Sequence, residues 1–417
     1  MGARAVQAVL SIAYLAIATR TLGLADFGRF ALIIAVGQGI SALVGFQTWQ
    51  FIVRYGTQAV AEQDKAALER IIGLATVLDF AAAALGGLVS IAVVVLLGPL
   101  LKLPHELYGA TFGFCFAMLL AVRSTPTGVL RLDQRFGAAA MIDSVLPSVR
   151  AGGALMAALF LPTVAGFVWA WAAAEVVTAL VYWRAALSGR RLTLAPTELK
   201  RYAREQPSLW HFVLQTNLSS TLTMTTKHFT LIIVGAFGGP AAAGMFRVAA
   251  QLAQALAKVT QSFSRAAYSE LVLAITKGSD RVLLVQLTLI AGLAAGAMVF
   301  VAAVLGEPLL HLIATETFTG AYLPVVILVG AAGLDLLGFA FEPAMTARGH
   351  AGTAFWLRLL ATGVLVALLL LLMPRFGIVG GAWATFGGSL AAVALTGWGV
   401  FRSAPQEPLG PAEAAPR

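Results

Sequence analysis

Six polar side chains recur at helical spacing inside one apolar stretch: Arg247, Gln251, Gln254, Lys258, Gln261 and Arg265. Steps of four and three residues keep them within about 80° of one another on a helix that turns ~100° per residue. They extend along about 27 Å of helix, close to the ~30 Å thickness of a bilayer's hydrocarbon core. A charge at the bilayer centre costs at least ~2.5–3.5 kcal/mol, so this stripe must face water, an anion or polar partners. Guanidinium groups suit phosphate through their forked donors. The glutamines between them can bond hydroxyl groups without adding charge. The competing reading is a stripe buried against carboxylates, but the apolar segments hold too few acids to pair every cation.

The preceding stretch is polar in a different way. Asn217, Ser220, Thr221, Met224, Lys227 and His228 share one helical face. Hydroxyls in a membrane helix often bond their own backbone or a neighbouring helix. That reading accounts for the serines and threonines, and a structural role also suits His228. It does not account for Lys227. Earlier in the chain, Asp79, Asp143, Arg150 and Glu175 lie within apolar segments, with Arg20 and Arg54 at segment ends. Asp143 and Arg150 are two turns apart, about 10 Å along a helix, so each needs a partner elsewhere or a ligand. Asp335 and Glu342 repeat that spacing in the second half of the chain. Asp79, Asp143, Glu175, Asp335 and Glu342 are therefore either proton or cation carriers, or ion-pair partners of the buried cations.

The elements that must hold these residues are membrane helices. Hydrophobic residues make up 59% and charged residues 11% of the 417, against about 25% charged in a soluble domain. Twelve apolar segments are predicted to span, at roughly 3–22, 30–53, 71–98, 108–124, 138–161, 164–187, 209–235, 243–268, 284–305, 322–345, 353–373 and 380–401. The start also fits a cleavable signal pattern, but the run continues into further spans, so a retained first span is expected. That span is short, which leaves room for further sequence ahead of it. The net charge of +9 does not point to nucleic acid, because the basic residues sit singly at segment ends. With Cys115 the only cysteine, neither an intrachain disulfide nor a cysteine metal cluster can form.

A basic island from Arg184 to Trp210 separates the two apolar halves and reads as a cytoplasmic loop. It is either a plain connector or also a contact for lipid headgroups or a partner. With that loop inside, twenty Lys and Arg fall on the cytoplasmic side and five on the other, which predicts both termini cytoplasmic. The halves also repeat at a near-constant offset. Gly23, Ala25, Gly28, Phe30 and Gln38 recur with the same spacing as Gly239, Ala241, Gly244, Phe246 and Gln254. Pro126 and Arg131 recur as Pro343 and Arg348, and Gly166 and Trp183 as Gly381 and Trp398. Six spans per repeat predict two parallel lobes related by an axis along the membrane normal, the build of transporters that bind between halves and alternate access. The expected organisation is a six-helix lobe over 1–187, a basic linker over 188–208, a second lobe over 209–401 and a disordered cytoplasmic tail over 402–417.

Catalysis finds no support. There is no phosphate-binding Gly-Lys-Ser/Thr loop and no metal-ligand spacing, so neither a metal nor an organic cofactor is expected and the protein does not read as an enzyme. A membrane-embedded glycosyl transferase would want acids beside a large external loop, and the external loops here are short. The coupling ion, proton or sodium, stays open.

The segments ATRTLGLADFGRFAL, PTGVLRLDQRF, LIIVGAFGGPAAAGMFRVAAQLAQAL and MPRFGIVGGAWAT resemble the polysaccharide flippases of the multidrug/oligosaccharidyl-lipid/polysaccharide exporter superfamily, in order and over nearly the whole chain. The resemblance implies an all-α inner-membrane transporter with a cationic cavity. Its cargo would be an undecaprenyl-diphosphate-linked glycan for surface polysaccharide, such as lipopolysaccharide or exopolysaccharide. Its partners would be membrane lipid and polysaccharide polymerase machinery. Arg20 matches the arginine that ends the first span in this superfamily and helps contact the diphosphate. Many relatives carry an aspartate before the LIIVG run, where this chain has Phe229 and Thr230; that departure counts against ion coupling there. The expected substrate ligands are Arg20, Arg150, Asn217, Lys227, Arg247, Gln251, Gln254, Lys258, Gln261 and Arg265. The competing reading within the superfamily is a multidrug or cation antiporter, which would need anionic residues for cationic drugs.

Overall fold

The computed structural model describes residues 2–190, 228–257, 280–314, 316–347 and 350–402, together with 192, 194, 195, 213, 217, 221 and 226. Lys227, Lys258, Gln261 and Arg265 lie outside the described residues, as do most of the basic linker and the tail. All the described regular structure is helical. The order is α1 (Gly2–Val44), α2 (Thr48–Ala61), α3 (Lys65–Leu100), α4 (Tyr108–Leu120), α5 (Ser124–Leu132), α6 (Phe136–Asp143), α7 (Val145–Phe160) and α8 (Val164–Ala186). Then follow α9 (His228–Ala257), α10 (Asp280–Ile313), α11 (Tyr322–Leu337), α12 (Phe341–Ala347) and α13 (Ala351–Arg402). Eight stretches among the described residues are long and apolar enough to cross a membrane. Leu88, Leu96, Leu293 and Phe300 are exposed along them, as side chains that face lipid would be.

Local chemistry accounts for the helix ends. Asp64 caps α3 by accepting the Ala67 N–H at 2.8 Å, and Thr163 caps α8 by accepting from Gly166 at 3.2 Å. α1 is two spans joined at Gly23, where φ is +70°, a backbone conformation that costs glycine little and other residues more. Gly239, its counterpart in the repeat, has φ of +76° in α9. α13 turns in the same way at Gly377, soon after Pro374. At Gly23 and Gly377 the turn falls between paired spans read from the apolar runs.

The chain divides into two compact units, Met1–Gly244 and Met245–Arg417. In the first, the start of α9 packs on α1 through repeat-related glycines. A Cβ on Gly28 would lie 1.7 Å from the Pro240 carbonyl oxygen, and one on Gly244 would lie 2.8 Å from that of Leu24. Leu24 and Pro240 are repeat counterparts, as are Gly28 and Gly244. The contact is therefore reciprocal, as two like segments meeting about a two-fold axis must be. Tyr14, Phe27, Phe30, Phe167 and Trp171 fill the adjoining core, with ring centroids 5.2–6.3 Å apart. In the second unit, Leu287, Ala340, Phe341, Ala344, Met345 and Val400 form a core around α12.

Four expected spans are interrupted. The second ends at Val44 rather than 53, the fourth breaks at 121–123, the fifth breaks at Ser144, which puts Asp143 on α6 and Arg150 on α7, and the tenth breaks between Leu337 and Phe341. The last break corrects one expectation. Asp335 lies on α11 and Glu342 on α12, so they do not share one helix face. The fourth and tenth spans are repeat equivalents, and α5 and α12 begin at matching positions in the two repeats.

Candidate functional site

The polar residues of the first unit are gathered around the two breaks at 45–47 and 121–123. The break at 45–47 leaves backbone groups without helical partners, and side chains supply them. Asn217 Oδ1 accepts the Gln47 N–H at 2.9 Å, and Ser124 Oγ accepts that of Trp49 at 3.1 Å. At 121–123, the Trp183 indole donates to the Val122 carbonyl at 2.9 Å. One carboxylate ties the two breaks together. Asp79 on α3 accepts from Thr48 Oγ1 at 2.9 Å, from Thr125 Oγ1 at 2.7 Å and from the Thr125 N–H at 3.1 Å. Thr48 and Thr125 each stand in the first turn of a helix, α2 and α5, where the peptide dipoles favour a negative group. All three residues are buried.

A second centre lies on α8. Glu175 is buried to 1% exposure and bound by two arginines. Arg123, the residue just before α5, reaches one carboxylate oxygen at 2.7 Å. Arg150 on α7 pairs with the other. The Trp171 indole, one turn before Glu175, donates to the same oxygen as Arg150 at 3.0 Å. The Arg150 guanidinium also sits 3.8 Å from the centroid of the Trp171 ring, a cation–π contact. Arg150 Nε is buried and makes no hydrogen bond among the described residues. Two guanidiniums thus share one buried carboxylate.

The sequence-predicted residues fall out as follows. Asp143 and Arg150 find partners on another helix, and it is the same helix for both: Tyr182 on α8 donates to Asp143, while Glu175 takes Arg150. Of the two roles open to Glu175, the structure shows an ion-pair partner. Arg20 is exposed on α1. Arg247 and Gln251 are half-buried and Gln254 is exposed, while Phe246, Val248, Ala249, Leu252 and Ala253 around them are buried. The described part of the stripe is thus the open side of α9. Glu342 pairs with Arg358 at 3.0 Å, in a partly open position, and Asp335 is exposed.

Sequence reasoning missed Arg123, Thr48 and Thr125. Arg123 precedes Ser-Thr-Pro, and a serine or threonine followed closely by proline inside an apolar run is a helix-start signal. That signal marks the break and, with it, the arginine that the break exposes.

A family model described as polysaccharide biosynthesis protein matches residues 1–268. The chain belongs to that family. This family member is 28% identical over 325 residues to the inner membrane protein YghQ of Escherichia coli (strain K12), covering 76% of this chain and 91% of that one. Among solved structures it is similar to an inward-facing multidrug-resistance MATE transporter of the MOP superfamily, with a TM-score of 0.72 at 15% identity, covering 95% of this chain and 94% of that one. It is also similar to the lipid II flippase MurJ in an inward closed conformation, with a TM-score of 0.65 at 11% identity, covering 96% and 86%. At those identities the likeness is one of fold. It makes this polysaccharide biosynthesis family member an all-α, multi-pass membrane protein with the fold of the MOP-superfamily transporters.

Proposed function

We propose that the protein is an inner-membrane flippase that moves an undecaprenyl-diphosphate-linked oligosaccharide to the outer leaflet by alternating access, for surface polysaccharide biosynthesis. The family membership supports the pathway. The observation that carries the cargo class is the pair of arginines gathered on one buried glutamate. Their forked donors suit a diphosphate, and the amides of Gln251 and Gln254 on α9 can bond the sugars. Lys227, Lys258, Gln261 and Arg265 are proposed to extend the same surface, with Arg20 at the end of the first span. The MATE likeness raises a drug antiporter as a second reading. Against it, Glu175 is already held by two cations and Asp79 by three donors, so neither acid is open to a cationic drug.

The test is made in cells. Deleting the gene is expected to abolish one surface glycan, to accumulate its lipid-linked precursor inside, and to leave susceptibility to cationic drugs unchanged. Increased drug susceptibility with normal surface glycan would favour the antiporter.

A further inference from the structure

We propose that Arg123 is a diphosphate-binding residue of the first unit, with Glu175 as its counter-ion while the site is empty. The proposal rests on the flippase reading and adds a residue that neither the stripe nor the family match singles out.

Glu175 holds two guanidiniums, Arg150 and Arg123. The two are not equivalent. Arg150 is fixed: its side chain is 20% exposed, its guanidinium lies on the Trp171 ring, and the same indole N–H holds the same carboxylate oxygen. Glu175, Arg150 and Trp171 make a neutral set without help. Arg123 is the less firmly held of the two. Its side chain is 31% exposed and bonds Glu175 through a single nitrogen, Nη2. A guanidinium carries five N–H donors, so most of its fork is available to another anion.

The backbone suits an exchange as well. Arg123 stands in the break between α4 and α5, before the first turn of α5, and its carbonyl accepts the Thr127 N–H at 3.0 Å. The main chain is anchored while the side chain is free to choose between Glu175 and a ligand. On binding, Arg123 would turn its donors to a diphosphate oxygen and leave Glu175 paired with Arg150. On release it would return to Glu175, so the cation never stands alone in the apolar interior. The ligand chemistry is a diphosphate, whose source is either a prenyl lipid or free pyrophosphate.

The experiment is equilibrium binding of radiolabelled farnesyl diphosphate to the full chain in detergent, with inorganic pyrophosphate and farnesol as parallel arms. The parent is expected to bind farnesyl diphosphate and not farnesol. Binding of farnesyl diphosphate without pyrophosphate assigns the lipid as source; binding of both assigns the diphosphate group itself. Arg123→Gln is expected to weaken binding by about tenfold or more, the scale of one charge-assisted hydrogen bond, while melting like the parent. Arg123→Lys, which keeps the charge but loses the fork, is expected to fall between them. Unchanged affinity in Arg123→Gln would overturn the proposal and leave the flippase reading standing. So would a lowered melting temperature with unchanged affinity in Arg123→Lys, because that is what a purely structural ion pair predicts. A parent that binds no diphosphate at all would overturn both.

Discussion

The two units share one backbone plan and differ in what they bury. Both break a span at matching positions to start a short helix, α5 and α12. Yet the polar residues of the first unit have apolar counterparts in the second. When the repeats are aligned, Asp79 becomes Ala295, Arg123 becomes Ala340, Arg150 becomes Leu365 and Glu175 becomes Leu390. Ala295 and Ala340 are buried among apolar side chains. The break at Gly338 thus closes over an apolar core, while the break at 121–123 closes over two carboxylates and two guanidiniums. A helix break is a backbone device that two like sequences can share; a buried charge cluster has to be balanced residue by residue, and among the described residues only the first unit keeps it.

The largest effect that would sharpen this contrast is at Glu175. Glu175→Gln strands two cations in the first unit and is expected to cost about 3–5 kcal/mol, the scale for breaking a buried ion pair. It should appear as a loss of membrane abundance. At the matching position of the second unit, Leu390→Met changes an exposed apolar side chain without adding a polar group and is expected to leave abundance unchanged. Equal losses at both positions would break the comparison.

Gly28→Ala comes next. The added Cβ meets backbone that cannot swing aside, so a destabilisation of about 1–3 kcal/mol is expected. Gly87→Ala, at a position with open space around it, is the control, and thermal melting in detergent is the readout. Asp79→Asn keeps the shape but turns one acceptor into a donor facing two hydroxyls and an N–H. It is expected to cost about 1–3 kcal/mol, with faster proteolysis near 121–123 as the measurable sign. The smallest effect is in the second unit. Glu342→Gln removes a half-exposed pair with Arg358 and should change melting by no more than about 1 kcal/mol. A loss as large as that at Glu175 would show that the second unit also depends on buried charge.

The span plan and the repeat are legible in the sequence because both rest on features that act locally. Runs of about twenty apolar residues declare a span, and a glycine such as Gly23 or Gly239 declares a turn. The stripe at 247–254 is legible for the same reason, since helical spacing places its residues on one face. The junction at the two breaks is not. Thr48 finds Asp79 across 31 residues, Trp49 finds Ser124 across 75, and Gln47 finds Asn217 across 170. Nothing near Gln47 in the chain says where its N–H will go. Arg123 is hidden by a different effect. A lone arginine near the end of a span looks like any marker of the cytoplasmic side, and only the packing of α8 reveals that it points to Glu175. For Asp335 and Glu342 the spacing misleads, because a break at Gly338 separates them.

We propose from the Lys/Arg asymmetry that both termini are cytoplasmic. A reporter active only outside the cytoplasm and fused after Arg402 is expected to be silent. Activity there would invert the assignment of every loop.

The central claim is that this chain moves a lipid-linked diphosphate rather than a cation. The most direct measurement is transport by the purified protein in proteoliposomes loaded in one leaflet with a fluorescent undecaprenyl-diphosphate oligosaccharide, with ethidium uptake measured in parallel. The account predicts transfer of the glycolipid between leaflets, reduced in Arg123→Gln, and no ethidium transport. Ethidium transport without glycolipid transfer would contradict it.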